Sequence, residues 1–272
     1  DFTPERFERE TGVKKELITE AARMYAKAGS AAICYTMGIT QFSDGTSNVF
    51  SLSNLAILTG NLGKKGAGVN PLRGQNIVQG SFDMGALPNV IPAGAVNSAY
   101  AQEQARKVWH FELNPVPGFK LTYAPDKMDS GELKVLYVYG ENPVMSDPWT
   151  EHFVHATHHL DCFIVQDLFF TESAQKADVV LPAAGWGEKD GTFINTSRRV
   201  QRTRKASEPV GGVEPDWKVV CNIAKAMGLE GFDFLSAEEV WDELRKLMPK
   251  FFGGISYYRL EKLGGISWPC PD

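Results

Sequence analysis

An α/β chain with open, mostly parallel sheets is what the sequence predicts, and three observations predict it. Short apolar runs recur: "AAICYTMG", "LKVLYVYGENP", "DCFIVQDLF" and "ADVVLPAAG". Each run ends in glycine, proline or polar residues, the punctuation of a strand entering a loop. Stretches of helical period lie between the runs, the alternation of an α/β layer.

Taken in order, residues 13–28 place Leu17, Ile18, Ala21, Met24 and Tyr25 at helical spacing with charges on the other side, and Gly29 is the expected stop. "AAICYTMG" is the first strand, and "SNVFSLSNLAILTG" is a second helix that Gly60 should end. Over residues 63–92 the pattern dissolves into Gly, Pro, Asn and Gln, and a loop of that length is expected to be functional. Residues 98–112 return to a polar helical pattern. A second series follows: a strand at "LKVLYVYGENP", a helix at "WTEHFVHATHHL", then strands at "DCFIVQDLF" and "ADVVLPAAG". All three strands read as buried. Helices at "DWKVVCNIAKAMG" and "AEEVWDELRKLM" and an aromatic, glycine-rich end close the chain. The expectation is two Rossmann-like open, mostly parallel sheets flanked by helices. The expected divisions are 1–75, 76–200 and a helical or irregular tail at 201–272.

Composition excludes several classes. With 43% hydrophobic and 22% charged residues the chain reads as an ordinary globular protein. A net charge of -5 argues against nucleic acid as a partner, because phosphate neutralisation dominates such binding. No apolar run is long enough for a membrane helix, so no membrane contact is expected. The start carries no signal-peptide pattern. Cys34, Cys162, Cys221 and Cys270 form no C-x-x-C pair, so no zinc or iron–sulfur site is expected within the chain. Reduced thiols and a cytoplasmic location follow, or a periplasmic one if an export signal lies upstream.

The loops at the strand ends share one style. "YTMGITQ" offers Gly38, Thr40 and Gln41; "YGENPVMS" offers Gly140, Glu141, Asn142 and Ser146. "VQDLFFTES" offers Gln166, Asp167, Thr171 and Ser173; "WGEKDGTFINTSRR" offers Asp190, Thr192, Asn195 and Arg198. Any one of these could be an ordinary turn. Together, at the mouth of a parallel sheet, they suit a large nucleotide-bearing cofactor. A carboxylate such as Asp167 matches the paired donors of a guanine edge or the hydroxyls of a ribose. Neither G-x-G-x-x-G nor G-x-x-x-x-G-K-[ST] occurs, so ordinary NAD and ATP sites are not indicated. His152, His155, His158 and His159 crowd one helix, with His155 and His159 sharing a face. The sequence shows them no third ligand, and they read as a solvated face with no metal. Neither H-E-x-x-H nor G-x-S-x-G is present.

These stretches together resemble the molybdopterin oxidoreductases. The likeness is carried by "SLSNLAILTGNLGKKGAGVNPLRGQNIVQGSFDMGALP", "YGENPVMSD", "VQDLFFTESAQKADVVLPAAGWGEKDGTFINTSRRVQR" and "EPDWKVVCNIAKAMG". It covers nearly the whole chain and is narrowest toward the catalytic subunit of molybdenum or tungsten formate dehydrogenases. It implies a bis(molybdopterin guanine dinucleotide) cofactor carrying Mo or W. Carried over by motif, Met37, Gly38 and Gln41 would line one pterin, and Gly74 and Gln75 would stand in the adjoining pocket. Gly140, Asn142 and Ser146 would hold a guanosine diphosphate arm. Gln166, Asp167 and Asp216 would face the nucleotide. Ser146 stands where the family has threonine, which keeps the hydroxyl.

Within this resemblance Arg73, in "LRGQN", points into the substrate channel and is the expected catalytic residue. A guanidinium fork meets the two oxygens of formate with paired, charge-assisted hydrogen bonds. The family's amino-terminal region with its 4Fe–4S cluster, its metal-ligating cysteine or selenocysteine and its carboxyl-terminal β domain have no counterpart in these residues. The chain is therefore expected to be a central piece, inactive alone, whose parent passes electrons to partner subunits. Two alternatives stand beside this: a relative acting on another small oxyanion, and a scaffold relative without molybdenum, like the large iron–sulfur subunit of respiratory complex I.

Overall fold

The structure, a computed structural model, describes residues 3–75 and 77–272. Asn76, the last residue of "RGQN", lies outside the described residues, as do the first two. The chain divides into two compact units, Asp1–Asn76 and Ile77–Asp272.

The first unit runs α1 (Pro4–Thr11), α2 (Lys15–Lys27), β1 (Ala32–Tyr35), α3 (Met37–Thr40), α4 (Gly45–Leu58) and β2 (Gly68–Pro71). The strands pair in parallel, with Ile33 opposite Val69 and Cys34 opposite Asn70. Gly60 ends α4 as expected. Its φ of 67° is left-handed, and the next residue, Asn61, donates its N–H to the Ala56 carbonyl at 2.8 Å. Gly29 plays no such part: α2 stops at Lys27, and Ala28 turns out in extended geometry. The buried Asn61 side chain ties three elements together. Its Oδ1 accepts from Ala31 N–H at 3.0 Å, and its Nδ2 donates to Thr59 Oγ1 at 3.1 Å and to the Tyr25 carbonyl at 3.4 Å.

The second unit begins with α5 (Val78–Asp83), the hairpin β3 (Val90–Ile91) and β4 (Gly94–Ala95), α6 (Ala99–Trp109) and α7 (Ala124–Asp129). Next come β5 (Val135–Tyr139), α8 (Pro143–Ser146), α9 (Thr150–Thr157), β6 (Cys162–Asp167) and β7 (Val179–Pro182). These strands form a parallel sheet in the order β5-β6-β7, with Val138 opposite Val165 and Asp167 opposite Pro182. The chain continues through β8 (Gly191–Ile194), β9 (Arg199–Thr203), α10 (Asp216–Ala226), α11 (Ala237–Leu247), α12 (Pro249–Phe252), α13 (Tyr257–Leu263) and β10 (Ile266–Ser267). Ser98, Ser236 and Ser256 cap α6, α11 and α13 by accepting the main-chain N–H three residues on. The helical end packs on the early part of the unit: Ala93, Ala101, Ile194, Val200, Trp241 and Phe252 share one core.

The α/β architecture with parallel sheets flanked by helices agrees with the sequence reading, with three corrections. Residues 63–92 are not one loop, for β2, α5 and β3 lie within them. The "GTFINTSRR" segment is not a sheet-mouth loop: Thr192 lies in β8, and Asn195 turns a β8–β9 hairpin by accepting from Ser197 and Arg199 N–H. Arg198 lies over the Trp268 ring instead of facing a cofactor. Of the three parallel strands only the middle one, β6, has no exposed residue; Val135, Tyr139, Val179 and Val180 of its neighbours stand exposed. A central strand has neighbours on both edges, while β5 and β7 each end the sheet. Among the described residues, no helix is long and apolar enough to cross a membrane.

Candidate functional site

In the first unit, β1 and β2 deliver the expected residues to one edge. β1 leads through Thr36 into Met37, the first residue of α3, and Gln41 follows that helix with its N–H on the Met37 carbonyl at 2.9 Å. Asn48 of α4 holds the short helix by donating to the Ile39 carbonyl at 3.1 Å. Beyond β2, Leu72 N–H donates to the Tyr35 carbonyl at 2.7 Å, adding a rung to the parallel ladder. Arg73 and Met37 therefore leave the sheet at the same carboxyl edge. The two segments meet there: a β-carbon on Gly74 would lie 3.5 Å from Met37 Cε. Met37, Gly38, Gln41, Arg73, Gly74 and Gln75 are all exposed.

In the second unit the carboxyl edge of β5-β6-β7 carries a buried polar chain. Gln166 is fully buried. Its Oε1 accepts from the Tyr137 hydroxyl, and its Nε2 donates to Asp216 Oδ1 at 2.9 Å. Asp216, buried at the start of α10, accepts on Oδ2 from Lys189, whose ammonium also donates to the Ala184 carbonyl at 3.1 Å. Burial raises the Tyr137 phenol above its usual range, which keeps it a donor. Burial also pulls the Lys189 amine below the usual lysine range, with the Glu188 carboxylate pulling the other way. Gln166 and Asp216 are thus buried, and the partly exposed Tyr137 and Lys189 flank them.

The other expected residues form the rim. Gly140 turns in the left-handed region at φ 62°, its N–H bonded to the Gln166 carbonyl at 2.9 Å, and open space lies where a side chain would be. Asn142 braces the rim: Oδ1 accepts from Ser173 N–H at 3.1 Å and Ser173 Oγ at 2.7 Å, and Nδ2 donates to Glu172 at 2.8 Å. That bond holds the Glu172 carboxyl below its usual range. Ser146 is exposed and donates to Glu141 at 2.6 Å. Asp167, half-buried at the end of β6, accepts on Oδ1 from Leu168 N–H at 2.6 Å, and no protein donor meets its Oδ2 among the described residues. Leu168, Phe169 and Phe170 stand exposed beside it.

Sequence reasoning missed Lys189 and Tyr137. Lysine beside two acids in "GEKDG" reads as a solvated charge, and Tyr137 reads as one aromatic in an apolar strand. Only the fold brings α10 and its Asp216 to them.

Residues 13–226 match the family model of molybdopterin oxidoreductase. The chain belongs to that family. It is 50% identical over 272 residues to F420-dependent formate dehydrogenase 1 subunit alpha of Methanococcus maripaludis, covering 99% of this chain and 40% of that protein. It is 44% identical over 273 residues to formate dehydrogenase H of Escherichia coli, covering all of this chain and 38% of that protein. The acetylene hydratase of Pelobacter acetylenicus shares the fold with a TM-score of 0.71 at 16% identity, over all of this chain and 40% of that one. The chain spans about two fifths of the length of these relatives.

Membership in the molybdopterin oxidoreductases implies a molybdopterin-bound metal. The rim fits such a group by its donor set. Asp167 keeps one carboxylate oxygen open, the Ser146 hydroxyl, which donates to Glu141, keeps its lone pairs for an incoming donor, and Gly140 leaves space for a ligand to approach.

Proposed function

We propose that the protein containing this chain oxidises formate to carbon dioxide, with Arg73 as the substrate-binding residue. The observation that carries this reading is the position of Arg73. It leaves the parallel edge one residue after the last rung, beside Met37 and Gly74, where ligands of open α/β sheets bind. Relatives at 50% and 44% identity named as formate dehydrogenases support it. Formate presents two oxygens and one C–H bond. A guanidinium fork takes both oxygens and leaves the hydrogen pointing away from the arginine. Loss of that hydrogen yields carbon dioxide, one proton and two electrons.

The cofactor of this reading is the bis(guanine dinucleotide) form, carrying molybdenum or tungsten. When bound, its metal centre supplies the acceptor for the electron pair. Asp167 would hold a guanine through its open carboxylate oxygen, and Ser146 and Gly140 would hold the diphosphate arm. Asn142 holds that rim by its bonds to Ser173 and Glu172. Gln166 and Asp216 orient Tyr137 and Lys189, and Met37, Gly38, Gln41 and Gln75 would line the pterin and substrate pocket. A 4Fe–4S cluster elsewhere in the enzyme would take up the electrons for delivery to partner subunits, in the cytoplasm or, with an upstream export signal, the periplasm.

Arg73→Lys in the full-length enzyme keeps the charge and loses the fork. Hydrogen bonds to charged groups contribute about 1.5–3 kcal/mol, so kcat/KM for formate-dependent dye reduction should fall roughly 10- to 100-fold. Unchanged kcat/KM in a variant that retains its metal would refute the assignment.

A further inference from the structure

The four histidines of α9 and the turn after it take no part in the proposed chemistry, and the fold gives them what the sequence did not show. Asp129, the last residue of α7, comes to the end of α9. One ligand atom from each of Asp129, His155 and His159 lies within 4.8 Å of the others. We infer that these three residues form a surface site for one divalent transition-metal ion of the zinc type.

Position separates this site from the cofactor edge. Asp129 precedes β5, and His155 and His159 precede β6, so all three lie at the amino edge of the parallel sheet. Asp167, Gln166 and Gly140 mark the opposite, carboxyl edge.

Local structure aligns the ligands. The end of α9 tightens into three-residue turns, with His158 N–H on the His155 carbonyl at 3.2 Å and His159 N–H on the Ala156 carbonyl at 3.0 Å. The His155 and His159 rings then stand edge to face, their centroids 5.4 Å apart. Asp129 is oriented by a group that is not itself a ligand. Its Oδ2 is 2.7 Å from His152 Nε2, and the His152 ring packs on Trp149 at 4.5 Å. Its Oδ1 is directed to the other side, 2.9 Å from His159 Nδ1. Ligating carboxylates are characteristically held by such a second contact.

A tetrahedral ion with bonds near 2.0–2.1 Å needs ligand atoms roughly 3.4 Å apart. Both imidazoles are exposed, so side-chain rotation closes the difference, and the His159–Asp129 hydrogen bond gives way to two bonds to the ion. Two neutral imidazoles and a carboxylate favour zinc, nickel or copper over magnesium or calcium. The carbonyls ending α9 add a field that favours a cation. Three protein ligands leave a fourth position for water or for a group from another molecule.

The test is a zinc titration of the intact protein against a competing zinc indicator, after a chelator wash that leaves its resident metals in place. One further equivalent of zinc should bind. The double variant His155→Gln, His159→Gln should weaken that binding by about 100-fold or more, and His152→Gln by about 10-fold. His158→Gln, which changes a neighbouring histidine outside the ligand set, should bind as the unaltered protein does. Equal zinc binding by the double variant, or an equal loss in His158→Gln, would overturn the site.

Discussion

Gln166 shows how one residue sets a rim it does not reach. Its amide is polarised from both sides, accepting from Tyr137 and donating to Asp216, which in turn holds Lys189. Such a chain is stable only when every member is satisfied. Gln166→Leu keeps much of the volume and removes both bonds, leaving Asp216 with one partner fewer in a buried place. A cost of about 1–3 kcal/mol follows, read as a lowered urea midpoint with unchanged slope. Cofactor content should fall as well, because Tyr137 and Lys189 lose their orientation. An unshifted midpoint would mean that the chain is not formed. Gln166 and Asp216 stood out in the sequence by their motifs, but their manner of action did not. Nothing in a linear pattern tells a rim residue from a buried one.

Elements announce themselves when their own residues determine them. The "LYVY" and "FIVQD" runs are apolar enough to read as strands, and α4 carries its own stop in Gly60. β2 has no such signal: "GVNP" is four residues inside a glycine-rich stretch, and its pairing with β1 alone makes it a strand. The β8–β9 hairpin escaped notice for a related reason. Its turn is built by the Asn195 side chain and a left-handed Arg198, in place of a glycine. Between α2, β1 and α4, Asn61 acts as the joint. Asn61→Ala leaves the half-buried Ala31 N–H without its acceptor, which costs about 1 kcal/mol. Hydrogen exchange should show this as faster exchange at Ala31 and the start of β1, with β5–β7 unaffected. Unchanged protection at Ala31 would remove Asn61 from that role.

At the scale of the whole molecule, apolar surface is left open on both units. Phe50 and Leu58 of α4 are exposed, as are Phe169, Phe170 and Trp186 around the carboxyl edge of β5–β7. The chain also spans about two fifths of its relatives, so activity is a property to be measured on the full-length enzyme. There the proposed chemistry depends on a guanidinium at residue 73 meeting a carboxylate. The most direct measurement removes that group and then returns it. Arg73→Ala should abolish most formate-dependent dye reduction, and added guanidinium ion should restore part of it where ammonium at equal ionic strength does not. An alanine variant that turns over formate with unaltered kcat/KM would contradict the account.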